Sequence, residues 1–215
     1  MQTGFKKNSY WDSRFKRTAI KLLPGDFFIC QGEEMIVTVL GSCISVCVYE
    51  TRLKIGGMNH FMLPEIKKES ASLKYKKKHV NDECDDKASA IYQNTNSARY
   101  GNTAMELLIN EIIKLGGDRR NLTAKVFGGG SVTRSSIDIG LKNINFIIEY
   151  LKEEGIPITN QDVGGKLPRK VYFIPSINEV YVKKIRNIHN NTISNREDSY
   201  RKVLNQSQDK NVFYL

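Results

Sequence analysis

Short apolar runs separated by turn residues dominate the chain, and most have the length and composition of β-strands. Residues 35–40 form an apolar, β-branched run that predicts a buried strand. Residues 44–49 alternate, with Ile44, Val46 and Val48 on one face. Residues 55–63 predict the next strand, which ends at Pro64. Similar runs predict strands at 27–30, at 124–127, from 156 onward, and in a hairpin of 169–175 with 179–185.

Two segments have the three-to-four-residue apolar spacing of amphipathic helices. The first covers residues 98–115, with Asn102 as the expected N-cap and a glycine pair after it as the stop. The second covers residues 142–154. Their predicted buried stripes are Met105, Leu108, Ile112 and Leu115 in the first, and Ile144, Ile147, Ile148 and Leu151 in the second. Strands followed by alternating helices and strands indicate a mixed α/β domain rather than a regular βαβ repeat.

Polar and charged segments divide the chain. Residues 1–23 predict a basic extension that docks through scattered aromatic side chains, and residues 24–186 predict the folded domain. Within it, residues 65–97 form a polar insertion expected to be a surface loop, and residues 187–215 predict a polar tail. The net charge of +10 is concentrated in the two ends, at +5 for 1–23 and +4 for 183–215. Because basic and acidic residues nearly balance between the two ends, the net charge does not favour a nucleic-acid partner.

Composition excludes several classes of protein. No window holds eighteen uninterrupted apolar residues, and no apolar segment follows the basic N-terminus. We therefore expect a cytoplasmic protein without membrane insertion. The four cysteines form no paired CxxC motif, which favours reduced thiols. His79 and Cys84 lie in the insertion without a repeated ligand spacing, so no metal site is predicted.

Residues 38–64 hold the best candidates for chemistry. Cys43 follows a Gly-Ser turn at the end of a predicted strand, where a side chain is presented beside backbone N–H groups. A hairpin of 44–49 with 55–61 would pair residue 43 near residue 60 or 61, and so bring a thiol close to His60. Either Thr38 or Asp162 can supply the third group that orients a histidine base, and spacing does not choose between them.

Two other motifs are interpreted as structural features and not as sites of chemistry. Cys47 lies four residues after Cys43 and is interpreted as packing. The run of glycines at 128–130 lacks the Gly-Lys-Ser/Thr ending of a phosphate-binding loop. Close backbone packing or the wall of an active site explains this run better.

The segments LGSCISVCVYE and KIGGMNHFMLPE resemble the CheD family of chemoreceptor glutamine deamidases. The similarity continues through RYGNTAMELLINEIIKLGG, KVFGGGS, IGLKNINFIIEYLKEEGIPI, DVGGKLPRKVYF and VYVKKI, over about residues 25–185. The resemblance implies a layered α-β-β-α sandwich with mixed sheets, similar to the catalytic domain of cytotoxic necrotising factor toxins.

The same resemblance implies an enzyme that hydrolyses glutamine side chains of receptor helices to glutamate, with Cys43 as nucleophile, His60 as base and Thr38 as the third member. It implies no cofactor and no metal. The expected partners are the cytoplasmic helices of methyl-accepting chemoreceptors and CheC, a CheY-phosphate phosphatase. The alternative is a non-catalytic regulatory module that acts by binding CheC or receptors. A cysteine protease is disfavoured, because the strand-like segment after Cys43 differs from the helix that follows a papain-type nucleophile.

Overall fold

Two β-sheets packed face to face form the body of the protein in the computed structural model, which describes residues 8–64, 90–94, 97–132 and 138–186 together with Ser199. One sheet has five strands: β1 Ser9–Asp12, β2 Arg17–Lys21, β4 Met35–Leu40, β10 Arg169–Ile174 and β11 Glu179–Lys184. They lie in the order β1-β2-β4-β10-β11. Only β2 and β4 run parallel, and the other neighbouring pairs are antiparallel.

The second sheet has six strands in the order β7-β3-β6-β5-β8-β9. These strands are β3 Asp26–Cys30, β5 Ile44–Glu50, β6 Ile55–Asn59, β7 Ala90–Asn94, β8 Leu122–Gly128 and β9 Ile158–Val163. The β8–β9 pair is parallel and the rest are antiparallel, so this sheet is also mixed. The chain passes from one sheet to the other between β4 and β5, through residues 41–43.

Side-chain alternation divides each strand between two layers. In β4, Ile36 and Leu40 face the six-stranded sheet and join the buried apolar cluster between the sheets. Met35 and Val37 belong to a separate cluster on the opposite face. Residue 38 therefore lies between the sheets.

Both described α-helices, α1 Gly101–Lys114 and α2 Ile139–Glu153, pack on the outer face of the six-stranded sheet. The alternate residues Ile44, Val46 and Val48 of β5 contribute to that core, as their spacing predicts. Leu108 of α1 and Ile147 of α2 are fully buried there. The helices therefore cover β5 from one side while the five-stranded sheet covers it from the other.

The mixed α/β prediction is confirmed, and three details are wrong. Residues 90–94 of the predicted loop pair with β3 as an edge strand. The polar composition of the surrounding segment does not indicate this strand, because it depends on backbone hydrogen bonds to β3. The remainder of that loop, 65–89 and 95–96, lies outside the described residues. Asn102 is not the N-cap: α1 begins at Gly101, and the Asn102 side chain accepts a hydrogen bond from the Thr103 N–H. Ile148 is exposed, and Asn143 is buried in its place on the helix face.

The N-terminal segment contributes a hairpin to the five-stranded sheet. β2 pairs with β4, and its Ile20 is fully buried between the sheets. Phe15, at the turn between β1 and β2, packs against Tyr172 and Tyr181 with ring centroids 5.1 and 5.2 Å apart. The division of the chain at residues 23, 186 and around the insertion stays a prediction.

No helix within the described ranges is long and apolar enough to span a membrane. A helical layer on the outer face of the five-stranded sheet, which the four-layer prediction requires, has no counterpart among the described helices. That arrangement therefore stays a prediction.

Replacing Phe15 with alanine should lower the free energy of unfolding by about 2 kcal/mol, because two aromatic contacts and their buried area are lost. Trp11→Ala is the matched control, since Trp11 is 65% exposed in the same hairpin. Urea denaturation of both variants measures the difference. Equal losses for Phe15→Ala and Trp11→Ala would show that the hairpin does not pack as described.

Candidate functional site

The crossing from β4 to β5 presents Cys43 in the layer between the sheets. Cys43 is 1% exposed and belongs to the inter-sheet cluster with Met58 and Met62. Its carbonyl accepts a hydrogen bond from the Gly129 N–H at 2.8 Å. The Gly41 carbonyl accepts from the Gly130 N–H at 2.7 Å. The crossing is thus held on both sides of the thiol by the glycine run that follows β8.

Gly128 explains why that run needs glycine. Its φ is +113°, and a Cβ built there would lie 2.1 Å from the Cys43 carbonyl oxygen. Both the backbone conformation and the close approach therefore exclude a side chain. The glycines serve close backbone packing against the crossing, which is one of the two roles expected for them.

The register of β5 and β6 places Cys43 and His60 on the same face. Ile44 and Phe61 exchange two backbone hydrogen bonds of 3.0 Å, and Cys47 pairs with Met58 in the same register. This register sets Cys43 opposite Met62, whereas residue 60 or 61 was predicted. His60 is then a diagonal neighbour of Cys43 on the same face, and diagonal neighbours are within reach of long side chains.

His60 contacts Thr38 across the gap between the sheets. Thr38 Oγ1 lies 2.8 Å from His60 Nδ1 and 3.0 Å from the Leu22 carbonyl oxygen. The carbonyl only accepts and the hydroxyl has one proton, so the hydroxyl donates to Leu22. Both contacts are then satisfied only when His60 Nδ1 carries a proton and donates it to Thr38. In this tautomer the lone pair lies on Nε2, which is the basic nitrogen.

Nε2 itself is buried and has no hydrogen-bond partner among the described residues. Burial lowers the pKa of His60 to about 3, although the Leu22 carbonyl beside the ring opposes this shift. His60 is 3% exposed and Thr38 is 1% exposed. The imidazole is therefore neutral at neutral pH, and the candidate site is closed to solvent in this conformation.

The structure distinguishes Thr38 from Asp162, the two candidates for the group that orients His60. Asp162, on β9, forms ion pairs with Arg169 at 2.6 Å and Lys184 at 3.4 Å. His60 Nδ1 is already paired with Thr38, so Asp162 is not the group that holds the ring. Val37, the neighbour of Thr38, faces the opposite side of β4. Cys47 is buried in the inter-sheet cluster, and burial raises the pKa of its thiol, as expected of a packing residue.

Asp26 and Asn143 support this site, although the sequence pattern does not single them out. Asp26 accepts a hydrogen bond from the Leu23 N–H at 2.7 Å through its side chain, and its backbone carbonyl accepts from the His60 N–H at 3.0 Å. Asn143 donates to two carbonyls beside Cys43. Asn143 could have been found from its place on the buried stripe of α2, between Gly140 and Ile147. Asp26 carries no such signal, because it lies in an ordinary turn motif.

Within residues 8–64, 90–94, 97–132 and 138–186, no three His, Cys, Asp or Glu side chains are grouped to hold a metal ion. His79 and Cys84 lie outside the described residues. Cys43, His60 and Thr38 place a thiol, a neutral imidazole and a hydroxyl bonded to that imidazole in one inter-sheet site, a set of groups that suits nucleophilic chemistry.

Comparison with known proteins decides the family. The chain is 47% identical over 196 residues to a protein of Shewanella oneidensis named "Probable chemoreceptor glutamine deamidase CheD 1". This alignment covers 90% of this chain and 85% of the relative. The chain belongs to the CheD family. A family model described as "CheD chemotactic sensory transduction" matches residues 82–184. That match begins after the three candidate residues, so the membership rests on the longer alignments.

Two further CheD relatives are similar in sequence over nearly the whole chain. Proteins named "Probable chemoreceptor glutamine deamidase CheD" from Herminiimonas arsenicoxydans and Methylobacillus flagellatus are 43% and 44% identical. The first alignment covers 97% of this chain and 92% of the relative, and the second 92% and 89%. CheD membership therefore extends across the segment that holds Thr38, Cys43 and His60.

The neutral His60 of this CheD protein should make its stability depend on pH. The unfolded histidine binds a proton near its ordinary pKa of 6.5, whereas the folded one does not until about 3. The free energy of unfolding should therefore fall as the pH drops from about 6.5 toward 3, with His60 contributing up to about 1.4 kcal/mol per pH unit.

His60→Gln, which cannot titrate, removes this contribution and should flatten the dependence. Denaturant unfolding at several pH values between 4 and 7 measures both slopes. Identical slopes for wild type and His60→Gln would contradict a buried neutral imidazole.

Proposed function

We propose that this protein is a protein-glutamine deamidase that hydrolyses the side-chain amide of glutamines in chemoreceptors to glutamate. The support from relatives is their printed name, chemoreceptor glutamine deamidase. The observation that carries the proposal is the Thr38–His60 contact of 2.8 Å. It directs the basic Nε2 of the imidazole away from Thr38, on the sheet face that also carries Cys43.

In the first half of the reaction, His60 Nε2 takes the proton from the Cys43 thiol. The thiolate attacks the carbon of the glutamine carboxamide and forms a tetrahedral intermediate. The protonated His60 then gives its proton to the amide nitrogen, and ammonia leaves as the carbon–nitrogen bond breaks. The product is a thioester between Cys43 and the former glutamine side chain.

Water completes the reaction. His60 Nε2 accepts a proton from the water, whose oxygen attacks the thioester carbonyl. The second tetrahedral intermediate expels the Cys43 thiolate, which regains its proton from His60, and glutamate is released. Thr38 keeps Nδ1–H engaged throughout, so each proton moves through Nε2 alone. This sequence uses a thiol, a base and dipoles, and it needs no cofactor or metal.

We propose that backbone N–H groups of residues 41–43 stabilise both oxyanions. Preorganised donors are most effective when the main chain that carries them is fixed before the reaction. The hydrogen bonds from Gly129 and Gly130 support this role, because they hold the carbonyls of the same crossing.

The proposed substrates are the cytoplasmic helices of methyl-accepting chemoreceptors, so we propose that the protein acts in the cytoplasm. CheC is a proposed regulatory partner. We also propose the four-layer α-β-β-α arrangement that cytotoxic necrotising factor catalytic domains have. The apolar outer face of the five-stranded sheet, with Met35, Val37 and Ile174, supports it because such a face suits packing against another layer.

A second candidate is a regulatory module that binds CheC or receptors without catalysis. The closed site favours this candidate, because Cys43 and His60 are nearly inaccessible to a glutamine side chain. Under the enzymatic proposal, substrate binding opens the inter-sheet layer at the crossing. Direct measurement of deamidation separates the two.

Cys43→Ala should abolish deamidation, with a fall of more than about 10³-fold, because the variant lacks the thiol that forms the thioester in this mechanism. Cys47→Ala is the matched control, since Cys47 is another buried thiol of the same cluster. Receptor cytoplasmic fragments are incubated with each protein, and glutamine-to-glutamate conversion is mapped by mass spectrometry. Undiminished conversion by Cys43→Ala would overturn the nucleophile assignment. No conversion by the wild type, with receptor binding retained, would favour the regulatory module.

Thr38→Val should lower the deamidation rate at least about tenfold, because loss of one orienting hydrogen bond corresponds to roughly 1.4 kcal/mol. Valine keeps the branched shape and removes only the hydroxyl. Thr38→Ser restores the hydroxyl and should recover most of the rate. Asp162→Asn should have a smaller effect than Thr38→Val. The reverse order would assign the third role to Asp162.

A further inference from the structure

Asn143 occupies an unusual place for an amide side chain. It lies in α2 on the stripe that faces the six-stranded sheet, between Gly140 and Ile147, and it is 0% exposed. The other buried residues of this helix are glycine or apolar. Asparagine is a poor helix former, and its burial removes two polar atoms from water.

The Asn143 amide group makes two long-range hydrogen bonds. Nδ2 donates to the Ser42 carbonyl at 3.0 Å and to the Met62 carbonyl at 2.8 Å. These acceptors flank the candidate site: Ser42 precedes Cys43, and Met62 is opposite Cys43 in the register of β5 and β6. One amide therefore ties the chain segment of the nucleophile to the chain segment that follows His60.

The two polar atoms of the Asn143 side chain differ in their hydrogen bonding. Oδ1 of Asn143 is buried and has no hydrogen-bond partner among the described residues. A buried acceptor without a donor costs free energy that an apolar side chain at the same position would not. In return, its two donated bonds satisfy the carbonyls of Ser42 and Met62 and hold these two chain segments together.

We infer that Asn143 is a positioning residue, which fixes the Ser42–Cys43 peptide relative to the segment that carries His60. A peptide unit is planar and trans, so fixing the direction of the Ser42 carbonyl also fixes the direction of the Cys43 N–H. The second bond holds Met62 at the same time. Asn143 thus sets the relative placement of thiol and imidazole without contacting the substrate.

This inference rests on the proposed function, because positioning matters only if Cys43 and His60 react together. Small errors of placement reduce rates strongly, since reacting groups must be aligned within about an ångström. Asn143→Ala should lower kcat for deamidation on the order of 10²-fold and leave KM nearly unchanged. Asn143→Asp keeps the shape but places oxygen beside two carbonyl oxygens, so its kcat should fall at least as far.

Asn145 supplies the matched control, because it lies two residues away on the same helix and is exposed. Asn145→Ala and Asn145→Asp should retain the wild-type kcat. All variants are made in the full-length chain, and rates are divided by the folded fraction from urea unfolding. A residue with only a structural role would change the folded fraction and leave kcat per folded molecule unchanged, and that result would overturn the inference. Failure of both Asn143 variants to fold would also overturn it.

A second readout needs no substrate. The rate of Cys43 alkylation by iodoacetamide is measured against pH by peptide mass spectrometry, for wild type, Asn143→Ala, Asn145→Ala and His60→Ala. The midpoint of the pH profile should move in the same direction in Asn143→Ala as in His60→Ala, and Asn145→Ala should match the wild type. An unshifted midpoint in Asn143→Ala overturns the positioning role. If the wild type alkylates normally but deamidates no receptor, the proposed function fails while the positioning result stands.

Discussion

A single hydroxyl group joins the two sheets at the candidate site. Thr38 Oγ1 lies on the five-stranded sheet, donates to the Leu22 carbonyl at 3.0 Å and accepts from His60 at 2.8 Å. This contact requires β4 to lie beside β2 with residue 38 facing inward, and it requires the chain after β6 to approach from the opposite sheet. It selects one tautomer of His60, so the acid–base properties of the imidazole depend on how the sheets are packed.

Backbone contacts from distant parts of the chain hold the rest of the site. Gly129 and Gly130 bind the crossing that carries Cys43, and Asn143 binds the carbonyls of Ser42 and Met62. Asp26 and Gly25 bind the main chain of His60. These groups come from the start of β3 and the residue before it, from the segment after β8, and from α2. The geometry at the thiol therefore depends on the packing of the whole sandwich. Such a preorganised frame costs little further ordering when the reaction begins.

Burial of the site also determines the charge state of His60. It lowers the pKa of His60 to about 3 and leaves Nε2 without a partner among the described residues, so the imidazole is kept neutral. A charged imidazolium would be disfavoured in the closed layer between the sheets. Entry of a substrate into that layer therefore has to coincide with any proton transfer from Cys43, and the enzymatic proposal requires the crossing to open.

Local sequence determined the elements and the two principal candidates. Alternation in 44–49 and the helical spacing of Met105, Leu108 and Ile112 predicted the correct buried faces, because burial of apolar side chains follows the period of each element. The turn before Cys43 and the predicted strand 55–63, which carries His60, indicated a shared hairpin. Tertiary structure decided what depends on contacts between distant residues: Thr38 rather than Asp162 beside His60, the strand at Ala90–Asn94, and the burial of Asn143. A hydroxyl, an edge strand and a buried amide acquire these roles only from partners that lie far away in the chain.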